Sequence, residues 1–381
     1  MLTLILKSLN ACNLRCAYCS AGKKECEKKL TEERMSEALT FFASYARERE
    51  ERHVTIIFHG GEPMLLPAEQ YDRCIQRMQE RFPELMFRFS LQTNGTILSP
   101  EYLALFQKYD VHVGVSLDGS QSVHDQHRKS VSGKETYQLI LEHIQTLQNH
   151  GVAVAALMVL TKPALVEDLG FLLEFARLDL PLKINPLLSV GEAVWHPELA
   201  LEPGEYGRYL ARVLEYVFEH KLDLPISPLD EIFQNILYRK ACRGCQHTPN
   251  CHGNFLSIDP EGDIYPCGRF ADTHENAIGT IETGITTDGR KILERLALRR
   301  TKNLPPPCRE CRYLELCHGG CSADQPWSRA VNHPCSVCED YRYIFHFIKT
   351  RGMEFLRQQL LEERASLLSQ IHEGEVIPDG I

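Results

Sequence analysis

Ser8-Leu9-Asn10-Ala11-Cys12-Asn13-Leu14-Arg15-Cys16-Ala17-Tyr18-Cys19 follows a short apolar run, Leu2–Leu6, at the start of the chain. Three thiols spaced three and then two residues apart, in a loop leaving a strand, can converge on one point. A four-iron cubane normally takes four cysteine ligands, so three from one tight loop leave an iron open to a small molecule. The plainer alternative is structural zinc. Zinc wants four closed ligands, usually from paired Cys-x2-Cys units, and only Cys26 follows at a comparable spacing.

Working outward, 381 residues are enough for one large domain and a smaller one. With 43% hydrophobic and 24% charged residues the composition is that of a globular protein. No run of about 18 apolar residues or secretory signal is present, so the chain is expected in the cytoplasm with no membrane partner. A net charge of −9 argues against a nucleic-acid partner, which selects a basic excess. In a reducing compartment fifteen cysteines point to metal ligands before disulfides.

From residue 1 to about 220, apolar β-rich runs alternate with amphipathic segments. The expected strands are Leu2–Leu6, Val54–Phe58, Met86–Gln92, Val111–Leu117, Val152–Leu160 and Leu182–Leu187. The expected helices are Glu32–Arg49, Ala68–Arg81, Pro100–Tyr109, Glu135–Asn149 and Leu165–Arg177. Almost continuously apolar strands alternating with helices predict a buried parallel sheet of βα units, open or barrel-like. Four strands end in polar or glycine-rich turns, where a (β/α) barrel gathers its site. After Ser227 helical periodicity lapses and glycine, proline and cysteine accumulate. Such a stretch needs staples, and the compartment selects metal. Tyr341–Gln370 reads as a long packing helix and Gly374–Ile381 as a frayed tail.

The second strand ends in His59-Gly60-Gly61-Glu62-Pro63, the third in Gln92-Thr93-Asn94-Gly95 and the fourth in Ser116-Leu117-Asp118-Gly119. Two glycines let main chain approach a ligand closely, and Glu62 offers a carboxylate suited to an ammonium group. Each motif alone is also an ordinary turn. A dinucleotide fold is excluded, because no Gly-x-Gly-x-x-Gly follows the first strand. Together the cysteine triplet, with Tyr18 before its last member, and the Gly-Gly-Glu-Pro turn resemble the radical SAM superfamily. The resemblance implies an α/β fold with a partial (β/α)6 barrel. It also implies S-adenosylmethionine (SAM) on a [4Fe–4S] cluster held by Cys12, Cys16 and Cys19. The implied SAM contacts are Tyr18, Gly60, Gly61, Glu62, Asn94, Ser116 and Arg128.

Downstream, the spacing is Cys245-x5-Cys251, ten residues to Gly262, four more to Cys267, then Cys308-x2-Cys311-x5-Cys317-x3-Cys321 and finally Cys335-x2-Cys338. This is similar to the SPASM extension of radical SAM enzymes that mature peptides and proteins. Carried over by position, it implies one auxiliary [4Fe–4S] cluster on Cys245, Cys251, Cys267 and Cys321. A second falls on Cys308, Cys311, Cys317 and a last cysteine, with Cys338 favoured over Cys335 by the aromatic residues after it. Three clusters use eleven cysteines, leaving Cys26, Cys74, Cys242 and one of the last pair as ordinary side chains. Zinc could also close the Cys308–Cys321 spacing, although an interleaved eight-ligand pattern suits electron transfer better.

The resemblance divides the chain into a partial barrel (1–225), an auxiliary-cluster domain (226–345) and a C-terminal helix and tail (346–381). It implies a maturase that makes a 5′-deoxyadenosyl radical, takes hydrogen from a ribosomally made peptide and forms an intramolecular crosslink. The implied partners are a peptide or protein substrate and an electron donor such as flavodoxin or ferredoxin; with only eleven residues before Cys12, leader binding is expected to use the barrel, the auxiliary-cluster half or a separate leader-peptide-binding protein. An anaerobic sulfatase-maturating, formylglycine-forming enzyme is the alternative, but Gly268 stands where that family has a basic aspartate after the Gly-x4-Cys cysteine. The general base stays unassigned. From another class, a non-enzymatic iron–sulfur or zinc scaffold fits the same cysteines.

Overall fold

The computed structural model describes residues 1–22, 27–249, 251–324 and 336–362. The expectations that fall on Cys26, Cys335 and the end of the chain from residue 363 lie outside these.

In chain order the elements are β1 (Leu2–Lys7), α1 (Glu32–Glu48), β2 (His53–His59), α2 (Ala68–Arg81), β3 (Met86–Thr93), α3 (Pro100–Tyr109), β4 (His112–Ser116), α4 (Gln121–His127), α5 (Tyr137–Asn149), β5 (Val154–Leu160), α6 (Phe171–Arg177), β6 (Leu182–Pro186), α7 (Glu205–Glu219) and β7 (Ile226–Ser227). Then follow α8 (Leu229–Leu237), β8 (Phe255–Ile258), β9 (Asp263–Tyr265), α9 (Gly268–Thr273), β10 (Gly279–Thr280), β11 (Gly284–Ile285), α10 (Thr287–Thr301), the short turns α11 (Pro306–Arg309) and α12 (Leu314–Cys317), and α13 (Cys338–Phe347). Helical backbone continues through a π-helical turn at Ile348–Gly352 to residue 362.

Local chemistry explains the elements. Thr31 caps α1 by accepting from the Arg34 N–H, and Met35, Ala38, Leu39, Phe42, Ala43 and Ala46 form the buried stripe that a 3.6-residue repeat requires. Pro100 opens α3 behind the Ser99 cap. The helix expected over Leu165–Arg177 is interrupted. A 3-10 turn occupies Pro163–Val166, Glu167 is extended, and Asp168 accepts from the Gly170 N–H at 2.6 Å, so the α-helix starts only at Phe171.

All strands form one sheet in the order β11-β10-β9-β8-β1-β2-β3-β4-β5-β6-β7, and the sheet is not closed. Every neighbouring pair from β8 through β7 is parallel, as the βα pattern demands. The six expected strands are all present. The cysteine-rich half adds β8 beside β1, with Leu4 opposite Leu256 and Leu6 opposite Ile258. Its Leu256, Ile258, Tyr341, Ile344 and Phe345 join the same hydrophobic cluster as the first half. Helix α13 crosses α7 where Gly207 leaves room, since a Cβ there would lie 2.5 Å from the Asp340 carbonyl oxygen.

Candidate functional site

The three-cysteine loop is held by backbone from several elements. Gly61 N–H donates to Leu9 O and Glu62 N–H to Ala11 O, both at 2.8 Å. Arg15 N–H reaches Lys129 O at 2.9 Å, Ala17 N–H reaches His127 O at 3.1 Å, and Cys19 O accepts from Glu192 N–H at 2.9 Å. A Cβ on Gly60 would sit 2.4 Å from Leu9 O, and one on Gly61 only 2.0 Å from Ala11 O. The glycine pair therefore admits the cysteine loop's own backbone, a contact that the sequence reading did not foresee. Gly191, unremarked in the sequence, does the same from beyond β6, where a Cβ would lie 2.3 Å from Cys19 O.

Within the loop the thiols face one another. Burial pushes the Cys16 thiol up to about 11, Arg128 pulls it down, and the charges of Cys19 and Cys12 push it further up. Burial likewise raises Cys12, whose Sγ accepts from the Leu14 N–H at 3.4 Å and lies 3.7 Å from Asn94 Nδ2. Neutral thiols in a site drier than water must shed protons to bind metal, so loading releases protons.

Six of the seven implied SAM contacts lie at the ends of β2, β3 and β4 or on this loop, and the seventh, Arg128, caps the end of α4. Glu62 is fully buried and accepts from Thr93 Oγ1 (2.7 Å), Asn94 N–H (2.7 Å) and Met64 N–H (3.0 Å). Its side chain thus ties β2 to β3, and burial raises its carboxyl above the usual range. Asn94 Nδ2 donates to Asn13 Oδ1 at 2.8 Å, and Ser116 Oγ accepts from Gln92 Nε2 at 3.2 Å. Tyr18 donates its hydroxyl proton to Asp118, and Arg128 Nη1 donates to the Tyr18 oxygen at 3.1 Å. Burial opposes the charge of Arg128, but Cys16, Tyr18 and Asp118 hold its pKa well above the ordinary value. Arg128 Nε has no hydrogen-bond partner among the described residues.

The downstream cysteines gather as two sets. Cys245, Cys251, Cys267 and Cys321 line a cavity of about 360 Å³. Cys308, Cys311, Cys317 and Cys338 line another of about 440 Å³. Burial first, and then the charge of neighbouring thiols of the same set, raises the pKa of Cys251, Cys267, Cys321, Cys308, Cys317 and Cys338. Every described cysteine is a free thiol. A tetrahedral zinc with 2.3 Å bonds needs sulfurs about 3.8 Å apart. Among the described residues the only trio of His, Cys, Asp or Glu ligand atoms within 4.8 Å of one another is Asp259, Glu261 and His274. Among the described residues, then, no three sulfurs of either cysteine set lie within 4.8 Å of one another. Cys74 is an ordinary buried side chain between α1 and α2, and Cys242 is exposed, its backbone N–H on Asn235.

The 360 Å³ cavity opens where β1, β2 and β6 end, with Lys7, His59, Asn185 and Asp272 among its walls. Asp272 pairs with Lys7 and accepts from Ser20 Oγ at 3.0 Å, so helix α9, which begins beside Cys267, touches the loop of Cys19. Gly268 and Asp272 are four residues apart on one helix face. A Cβ on Gly268 would press Ile5 Cδ1 at 3.2 Å, while Asp272 meets Lys7, two residues on along β1. Asp272, unremarked in the sequence, lies one helical turn beyond Gly268 and brings a carboxylate to the wall of the cavity. His59 Nδ1 accepts from the Gly60 N–H at 2.8 Å, and burial and Lys7 lower its pKa, so it stands neutral here.

Residues 6–176 match the family model of the Radical SAM superfamily. A serine-type anaerobic sulfatase-maturating enzyme of Bacteroides thetaiotaomicron is 24% identical over 96% of this chain and 94% of its own length. A cysteine-type enzyme of Clostridium novyi is 26% identical over 90% of this chain and 94% of its own. The structure of native anSMEcpe with bound AdoMet superposes with a TM-score of 0.80 at 20% identity, covering 94% of this chain and 100% of that one. SuiB of Streptococcus suis bound to precursor peptide SuiA gives 0.62 at 16% identity, covering 88% and 75%. At these identities the two structures share a fold with this chain. No helix among the described residues is long and apolar enough to cross a membrane.

Proposed function

Starting from a chain that carries a radical SAM domain and is homologous along most of its length to anaerobic sulfatase-maturating enzymes, we propose that it oxidises a side chain of a peptide or protein. The observation that carries this reading is the 360 Å³ cavity, walled by one cysteine set and by Asp272, which a serine hydroxyl ties to the three-cysteine loop. Cys12, Cys16 and Cys19 would hold one [4Fe–4S] cluster, with SAM against Tyr18, Gly60, Gly61, Glu62, Asn94, Ser116 and Arg128. Cys245, Cys251, Cys267 and Cys321 would hold a second cluster, and Cys308, Cys311, Cys317 and Cys338 a third. Loaded and reduced, these groups supply a carbon radical that removes a hydrogen atom from the substrate and an acceptor for the electron left behind.

The chain's own residues do the rest. A side chain that loses two hydrogens gives up one as an atom and the other as a proton and an electron. Asp272 stands in the cavity to take that proton on a carboxylate oxygen, oriented by Lys7 and Ser20. Tyr18, Asp118 and Arg128 keep a fixed polar brace behind the loop, so the reacting groups are positioned before the substrate arrives. A reduced flavodoxin or ferredoxin would deliver the first electron.

Two products fit this scheme. Oxidation of a serine to formylglycine, or of a cysteine to a thioaldehyde that water converts to formylglycine with release of hydrogen sulfide, is favoured by the sulfatase-maturating relatives and by Asp272, which supplies a carboxylate that Gly268 lacks. Crosslink formation, for which a separate leader-binding protein would present the peptide, rests on Gly268 and on the SuiB fold alone. The test is anaerobic incubation of the loaded enzyme with SAM, dithionite and a sulfatase-derived peptide carrying Ser or Cys, read by mass spectrometry with a hydrazide trap. A trapped aldehyde is expected, and replacing Cys12, Cys16 and Cys19 with alanine should abolish it together with SAM cleavage. A two-hydrogen loss that resists the trap and bridges two residues would move the assignment to crosslinking. SAM cleavage undiminished by the triple substitution would overturn the site.

A further inference from the structure

Arg300, at the end of α10, is among the largest fully buried side chains of the protein, 1% exposed. Its Nη1 donates to Cys245 O at 3.0 Å and lies 3.2 Å from Cys251 Sγ, and its Nη2 donates to Gln246 O at 2.8 Å. Its Nε has no partner, and among the described residues no carboxylate pairs with it. A guanidinium keeps its charge in proteins, and burying one without an anion is costly. The anions on offer here are thiolates.

The neighbouring basic groups do not share this position. Arg269, beside Cys321, is already paired with Asp324. The imidazoles nearest Arg300 are held neutral, His247 at about 3 and His252 at about 4, each by burial first and by Arg300 second.

We infer that Arg300 is a fixed positive charge on the Cys245–Cys251–Cys267–Cys321 set, and that it sets how readily the centre held there accepts an electron. This rests on the reading that the set holds an iron–sulfur cluster. A cluster that gains an electron gains a negative charge, and a cation 3.2 Å from a ligand sulfur favours the reduced form. Arg300 is thus a positioning and tuning residue, acting through the ligand sulfur it touches.

The test uses the full chain with Cys12, Cys16 and Cys19 replaced by alanine, so that only the downstream centres load. Arg300→Met removes the charge at similar bulk, and Arg300→Lys keeps the charge but cannot fork to two carbonyls. Iron and sulfide are counted after anaerobic reconstitution, and midpoint potentials are read by EPR-monitored titration. Expected are a lowered potential for one of the two clusters in Arg300→Met and potentials near the parent's in Arg300→Lys. Loss of iron in Arg300→Met with retention in Arg300→Lys would also support the inference, since charge is what separates them. Unchanged potentials in a fully loaded Arg300→Met chain, or equal loss of iron in both variants, would overturn it. Zinc in place of iron in the parent would sink the cluster reading first, and the inference with it.

Discussion

Replacing Gly61 with alanine separates two explanations of the Gly-Gly-Glu-Pro turn. If the glycines serve only the approach of a ligand, a methyl group at 61 costs the ligand-free protein nothing. The structure puts that methyl 2.0 Å from Ala11 O, 2.5 Å from Ala11 C and 2.8 Å from Asn10 O, all rigid backbone. Relief requires the loop to retreat by well over an ångström, which breaks the 2.8 Å bonds from Gly61 to Leu9 and from Glu62 to Ala11. Two backbone hydrogen bonds at roughly 0.5–1.5 kcal/mol each, with roughly 1–3 kcal/mol of overpacking, predict a loss of about 2–6 kcal/mol. Gly61 does not have a positive φ, so the cost is contact alone. Gly151, with φ +74° and nothing within 4 Å of where a methyl would sit, is the control for strain without contact, at roughly 1–2 kcal/mol. Urea unfolding of the metal-free protein, followed by circular dichroism, gives both values. Gly61→Ala should be the more destabilised and should also load less iron on Cys12. A metal-free Gly61→Ala protein as stable as the parent would refute the packing argument.

Asp272→Asn should leave SAM cleavage in place while aldehyde or ring formation falls at least tenfold, because the proton acceptor is lost and the loop is not; equal losses of both would make Asp272 merely structural. Cys338→Ala should cost the reconstituted chain one cluster and Cys335→Ala none, and the reverse pattern of iron counts would exchange their roles. His124 is fully buried, accepts from Asp118 N–H at 3.2 Å through Nδ1, and is held near 3 by burial and then Arg128. The unfolded chain takes up that proton below about 6.5 and the fold does not, so its stabilisation is present above 6.5 and is lost as pH falls toward 3, by about 1.4 kcal/mol per unit. The stability gap between parent and His124→Gln should therefore narrow from pH 7 to pH 5; a constant gap contradicts the assignment.

Much of this architecture was legible because it is local. Alternating apolar runs and amphipathic segments located six strands and most helices, since strand and helix periods are written in neighbouring residues. The Cys12–Cys16–Cys19 triplet was legible for the same reason, whereas the division of the downstream cysteines into two interleaved sets came from the family resemblance. Where a turn competed, the reading failed: Asp168 and Gly170 end what periodicity alone would have continued from Leu165.

What tertiary structure decided involves residues that chain spacing cannot relate. Only packing reveals that Gly60 and Gly61 make room for Leu9 and Ala11, because that contact joins two strand ends. Only the register of β8 on β1 brings α9 over Ile5 and Lys7 and so puts a carboxylate in the cavity from position 272. Helix α13, seated on α7 through Gly207, carries Cys338 to the set of Cys308, Cys311 and Cys317. Arg300 reads in the sequence as one basic residue in a basic helix end. Its meaning comes from burial, which removes water as a partner and leaves its charge to the thiols around it.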